Sequence, residues 1–233
     1  MSSTSSDARE KKLALRELAE QYPWLSAYVT SFGAPTKAGG RPPSVFPRKS
    51  YHCGLTKEEL SLLTIWQKRL HPLLVKTPSR GETVGLLTQI FHVIYEEAQP
   101  DPDEKPQTLD DLLEIFQSPE FGKQQKLREL AKTYPYLGMV AASLESSRKA
   151  SHFNLRATTR TSYSLRLTRF EASLLDEWQE ILRQLADEKL ARGEVVGLIT
   201  GIVSMQFDEM SKKQAGAEVT SLEELLELLE VIK

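Results

Sequence analysis

The chain has one cysteine, Cys53, in 233 residues. That excludes an internal disulfide framework and a cysteine-built zinc site, and it points to a reducing, cytoplasmic setting. No apolar run approaches the ~20 residues of a membrane span, and the opening Met-Ser-Ser-Thr-Ser-Ser has no signal-peptide core, so no membrane partner is expected. The four histidines, His52, His71, His92 and His152, are scattered and form no ligand spacing such as HxxxH. Glycine-rich phosphate loops, nucleophile elbows and a cysteine paired with histidine are all missing. The reading is therefore a non-enzymatic protein with no catalytic residue, no metal and no cofactor.

Acid is also missing, but only locally. The formal charge is −2, yet Gln21 to Lys57 contains no Asp or Glu while holding Lys37, Arg41, Arg48, Lys49 and Lys57. Ser146 to Phe170 again has no acid, and carries Arg148, Lys149, Arg156, Arg160, Arg166 and Arg169. Carboxylates crowd instead at Glu96–Asp111 and Glu218–Glu230. Segregated positive charge in a near-neutral chain suits a surface facing a polyanion.

What is present is a duplication. Leu15-Arg-Glu-Leu-Ala19 and Tyr22-Pro23 return as Leu127-Arg-Glu-Leu-Ala131 and Tyr134-Pro135. Ser50, Tyr51, Leu55, Thr56, Glu59, Trp66 and Gln67 return as Ser162, Tyr163, Leu167, Thr168, Glu171, Trp178 and Gln179, and Arg80-Gly-Glu82 returns as Arg192-Gly-Glu194. A repeat this long is a domain or half-domain rather than a solenoid unit. We divide the chain into a disordered N-terminus (1–7), a first repeat (8–118, core 50–98) and a second repeat (119–233, core 162–210), with the two cores packing as one pseudo-symmetric unit.

Within a repeat, local chemistry predicts the elements. Tyr163, Leu165 and Leu167 alternate with Ser162, Ser164 and Arg166, the period-2 signature of a half-buried strand. Ser50–Thr56 is its twin. Thr56 with Glu59, and Thr168 with Glu171, form capping boxes that start a helix directly after each strand. An amphipathic helix is expected over Ala8–Gln21 and another from Pro23. The helix from Lys57 should stop near Leu70, before Pro72. Ser79-Arg-Gly-Glu82 caps the next helix, whereas Ala191 removes that cap in the second repeat. Acidic helices follow at Leu109–Phe116 and Ser221–Ile232. Cys53, Trp66 and Trp178 read as core residues. Gly85 and Gly197 mark a close helix–helix approach.

Strand, capped helix, turn and helix in about 45 residues resembles the ribbon–helix–helix DNA-binding family, and both cores show that order. The resemblance covers only the two cores and implies a mainly α fold with an intramolecular pseudo-dimer, two strands paired in an antiparallel ribbon; the extra helices at the N- and C-terminal ends of each repeat fall outside it. It further implies a ribbon that enters the major groove of double-stranded DNA. The base-facing residues would then be Ser50, His52 and Gly54 in one strand and Ser162, Ser164 and Arg166 in the other. Phosphates would meet Arg41, Arg48, Lys49, Arg80, Gly81, Arg156, Arg160, Arg169, Arg192 and Gly193, with glycine permitting close approach to a helix N-terminus. Glycine reads no base, so the halves are unequal and an asymmetric, non-palindromic target or a weak sequence preference is expected. The implied roles are a transcriptional regulator, a plasmid partition or conjugation accessory, or another DNA-processing factor, nucleoid-associated in the cytoplasm. The acidic helices are candidates for self-association or a protein partner. The alternative is a helical protein–protein interaction module with a degenerate ribbon.

Overall fold

Alternation of apolar and polar residues produces two strands, β1 (Arg48–Leu55) and β2 (Thr161–Thr168), which pair antiparallel. The computed structural model describes residues 3–26, 28, 47–98, 105–117, 130, 132, 134, 137, 160–187, 189–214 and 218–231. In the ribbon, Tyr51 faces Leu165, His52 faces Ser164 and Cys53 faces Tyr163. His52 and Ser164 are counterparts in the repeat, so the local dyad of the ribbon passes between them. Pairing begins at Arg48, two residues ahead of the expected Ser50.

The described residues otherwise form seven helices. They are α1 (Ser3–Gln21), α2 (Lys57–Leu70), α3 (Arg80–Ala98), α4 (Leu109–Ile115), α5 (Arg169–Ala186), α6 (Arg192–Lys213) and α7 (Leu222–Leu228). The chain is thus mainly helical with a small two-stranded antiparallel sheet. Helix α1 starts at Ser3, earlier than the expected Ala8, and Lys11 pairs with Asp7 one turn away at 3.2 Å. After it comes a 3-10 turn, Pro23–Leu25, with Ser26 and Tyr28 helical.

Capping sets the helix starts. Thr56 Oγ1 accepts from the Glu59 amide while the Glu59 carboxylate accepts from the Thr56 amide, and Thr168 with Glu171 repeats this. Thr108 with Asp111 and Ser221 with Glu224 cap the two short acidic helices in the same way. Helix α2 stops at Leu70, before Pro72. Its counterpart α5 has no proline there, so it runs on to Ala186 and closes on Asp187 in the left-handed conformation (φ 53°). The Gln67 and Gln179 amides donate to the carbonyls of Pro78 and Leu190, fixing both interhelix turns.

The packing crosses between repeats. Helix α6 lies under β1 and α3 under β2, α3 and α6 pack on one another, and α2 and α5 flank them. Helices α3 and α6 are buried on nearly all sides, which accounts for their almost continuous apolar sequences. Trp66 donates Nε1–H to Ser204 Oγ of the other repeat at 2.7 Å. Trp178 packs edge-on against Phe91 and Tyr95 of the other repeat. Both tryptophans and Cys53 are buried. Neither repeat could bury these surfaces alone.

The two third-helix caps differ by one hydroxyl. Ser79 completes a box with Glu82, but Ala191 supplies only its amide to Glu194. Ala191→Ser should therefore stabilise the chain by about 0.5–1 kcal/mol, read as a higher urea midpoint at unchanged slope.

Candidate functional site

Tyr51, Cys53 and Leu55 of β1, with Leu165 and Leu167 of β2, are buried against the helices. The alternation then leaves the opposite face of the ribbon open. Ser50, His52, Ser162, Ser164 and Arg166 are exposed and Gly54 is half-buried. Its three rungs are Ser50 opposite Arg166, His52 opposite Ser164, and Gly54 opposite Ser162. All six residues proposed to face bases are therefore on one face, and the largest donor, Arg166, stands at one end of it.

The residues expected on phosphates divide. Lys49, Arg80, Arg169 and Arg192 are exposed around the ribbon. Arg41 and Arg156 lie outside the described residues. Arg48 and Arg160 depart from expectation because they turn inward. Arg160 Nη1 donates to Gly54 O and Glu59 Oε2, both at 2.9 Å, and Nη2 donates to Glu59 Oε1 at 3.0 Å. Arg48 makes the same three bonds to Arg166 O and Glu171, at 2.9, 2.9 and 3.0 Å. Each arginine sits at the start of one strand and clamps the end of the other strand to the first turn of the helix that follows it. The carboxylates are nearly sequestered, with Glu59 5% and Glu171 1% exposed. Burial pushes the Glu59 carboxyl above its usual range, opposed by the Thr56 amide and by Arg160. Tyr28 lies beside Glu171, and burial together with that carboxylate raises its hydroxyl well above normal.

Glycine has a different role from the one expected. A methyl group on Gly193 would overlap the Gly54 carbonyl, and one on Gly81 would overlap the Arg166 carbonyl. These glycines seat helix starts against the ribbon backbone rather than leaving them open for a phosphate. Gly85 and Gly197 abut the carboxylates of Glu171 and Glu59. The close approach there is thus of a helix to a buried charge. Only glycine leaves room for it.

Aromatic rings fix two further cations. Arg192 stacks over Tyr51 at 4.4 Å and Arg80 over Tyr163 at 5.5 Å. The first is also held by Asp176, 3.4 Å away, whose carboxylate accepts from the Tyr51 hydroxyl at 2.9 Å. Burial first, and that hydrogen bond next, raise the Tyr51 pKa. Asp176 escaped the sequence reading, although its counterpart Thr64 differs in charge and the repeat alignment exposes that difference.

Charge is distributed from pole to pole. Lys49, Arg166, Arg80 and Arg169 lie at the ribbon, and no acid pairs with any of them among the described residues. Helix α7 packs beside Gln206, whose amide donates to Leu229 O. That point lies roughly 20 Å along α6 from Gly193, taking 1.5 Å per residue. Glu223, Glu224, Glu227 and Glu230 are exposed there.

Arg160→Ala would leave Glu59 buried without its cation, and should cost about 3–5 kcal/mol. Arg166→Ala, on the open face, should change stability by less than about 0.5 kcal/mol. Chemical denaturation of the two variants separates the internal arginines from the presented one.

No family model, curated protein or solved structure matches this chain.

Proposed function

We propose that the chain is an intramolecular pseudo-dimer of the ribbon–helix–helix type that binds double-stranded DNA by placing β1 and β2 in the major groove. The observation that carries this reading is the open ribbon face: five exposed polar side chains at alternate positions, on a backbone pinned from beneath and bordered by the exposed cations Lys49, Arg80 and Arg169. A two-stranded ribbon fits the major groove, and such a face offers donors and acceptors at the spacing of base edges. Arg166 is the residue for a guanine. Ser50, His52, Ser162 and Ser164 offer donors or acceptors to neighbouring bases, and Gly54 contributes only close approach. Lys49, Arg80 and Arg169 take the phosphates, and Arg192, paired with Asp176, does so more weakly. Arg48, Arg160, Gly81 and Gly193 support the ribbon instead.

The action is non-covalent and needs no cofactor. It suits a transcriptional regulator, or an accessory factor in plasmid partition, conjugation or other DNA processing, residing with the nucleoid in the cytoplasm. The acidic pole is left for self-association or a protein partner. The competing reading, a protein-interaction module with a degenerate ribbon, draws on Gly54 and on Phe170, which is 57% exposed.

The test is anisotropy of a labelled random-sequence duplex over a salt series. With about four phosphates neutralised, log K should fall against log salt with a slope of about −3 to −5. A Lys49→Ala, Arg166→Ala, Arg169→Ala triple variant should lose binding while keeping its unfolding midpoint. Absence of binding by the intact protein at low salt, or full binding by the triple variant, would favour the protein-interaction reading.

A further inference from the structure

The two repeats present Arg80 and Arg192 at equivalent places, the first residue of α3 and of α6, each stacked on the tyrosine of a strand. Their electrostatic settings differ. Arg192 faces Asp176 at 3.4 Å, and Asp176 is anchored by the Tyr51 hydroxyl at 2.9 Å. In the other repeat the position of Asp176 is held by Thr64, whose hydroxyl turns back to the carbonyl of Leu60 at 2.9 Å. Among the described residues no carboxylate pairs with Arg80 there. The surroundings extend the contrast. Helix α3 starts against the backbone of Arg166, with Lys49 and Arg169 on the adjoining chain, whereas α6 starts against Gly54, with Glu58 beside Lys57.

We propose that Asp176 is a built-in neutraliser of Arg192, so that one half of the ribbon grips nucleic-acid phosphate strongly and the other is held back. This rests on the duplex-binding reading above and assigns it a polarity. The pair itself is about half exposed, at 46% for Arg192 and 51% for Asp176, and adds little to stability. Its effect is on what Arg192 can do. A phosphate approaching Arg192 must displace a carboxylate already fixed by Tyr51, and it meets the repulsion of that carboxylate. A phosphate approaching Arg80 meets neither. A molecule whose halves bind unequally lies on a duplex in one orientation, anchored from the Arg80 and Arg166 side. The unequal reading rungs, Arg166 against Gly54, add to the same polarity.

The experiment measures duplex affinity across a salt series for the full chain and three variants, with thermal unfolding checked for each. Asp176→Asn keeps the shape and removes the charge. It should raise affinity about three- to tenfold at about 50 mM salt and steepen the salt slope by about 0.9, the increment of one phosphate. Thr64→Asp transfers the neutraliser to Arg80 and should weaken binding by a similar factor with a shallower slope. Glu177→Gln removes an exposed carboxylate from the neighbouring position of α5, and should change affinity by less than about twofold with the slope intact. The proposal is overturned if Asp176→Asn leaves affinity and slope unchanged, or if Glu177→Gln matches it, since net charge would then suffice. Failure of the unaltered protein to bind duplex refutes the underlying reading instead.

Discussion

Two buried carboxylates organise this molecule. Glu59 and Glu171 each accept the amide of the threonine that caps their own helix and a two-pronged arginine from the start of the opposite strand. The arginine in turn grips a backbone carbonyl near the end of the strand preceding that helix. One group thereby fixes a helix start, a strand end and the register between repeats. A charge this deep is tolerable only when its donors are all in place. That requirement explains why Gly85 and Gly197 interrupt otherwise strong helices, since a side chain there would occupy the carboxylate's room. Helix propensity is given up locally, at about 1 kcal/mol per glycine relative to alanine, in return for a defined ribbon.

From this follows the form of the surface. Because the ribbon is clamped at both ends and packed beneath by Tyr51, Cys53, Leu55, Leu165 and Leu167, its other face carries polar groups on a rigid backbone. Rigid presentation lowers the ordering cost of binding. Arginine serves two opposite purposes here. Arg48 and Arg160 are structural, while the Arg166 side chain is exposed on the open face. The tyrosine stacks hold Arg80 and Arg192 at the margins, and a single replacement, Thr64 against Asp176, makes those margins unequal.

Much of the fold was legible because it is decided locally. Strand alternation, the Thr56 and Thr168 boxes, the stop before Pro72 and the missing cap at Ala191 depend on neighbours a few residues away. The duplication supplied the pairing of β1 with β2, since a lone strand leaves backbone groups unsatisfied. What sequence pattern could not assign was the destination of long charged side chains. Arg48 and Arg166 look alike in a basic segment, yet one reaches a carboxylate 123 positions away and the other does not. The glycines posed a related problem. Their need for a close neighbour was evident, but the neighbour's identity is tertiary. Asp176 needed both levels: repeat alignment marks it as different, and only the fold brings Tyr51 and Arg192 to it.

The proposed duplex binding requires the open ribbon face to be the surface that responds to DNA. Amide and side-chain resonances followed by NMR during titration with an unlabelled duplex would show this. We expect the largest changes at Ser50, His52, Ser164 and Arg166, smaller ones at Arg80, and none at Asp110 or Glu223. Changes confined to α4 and α7, or an unaltered ribbon at saturating duplex, would contradict it.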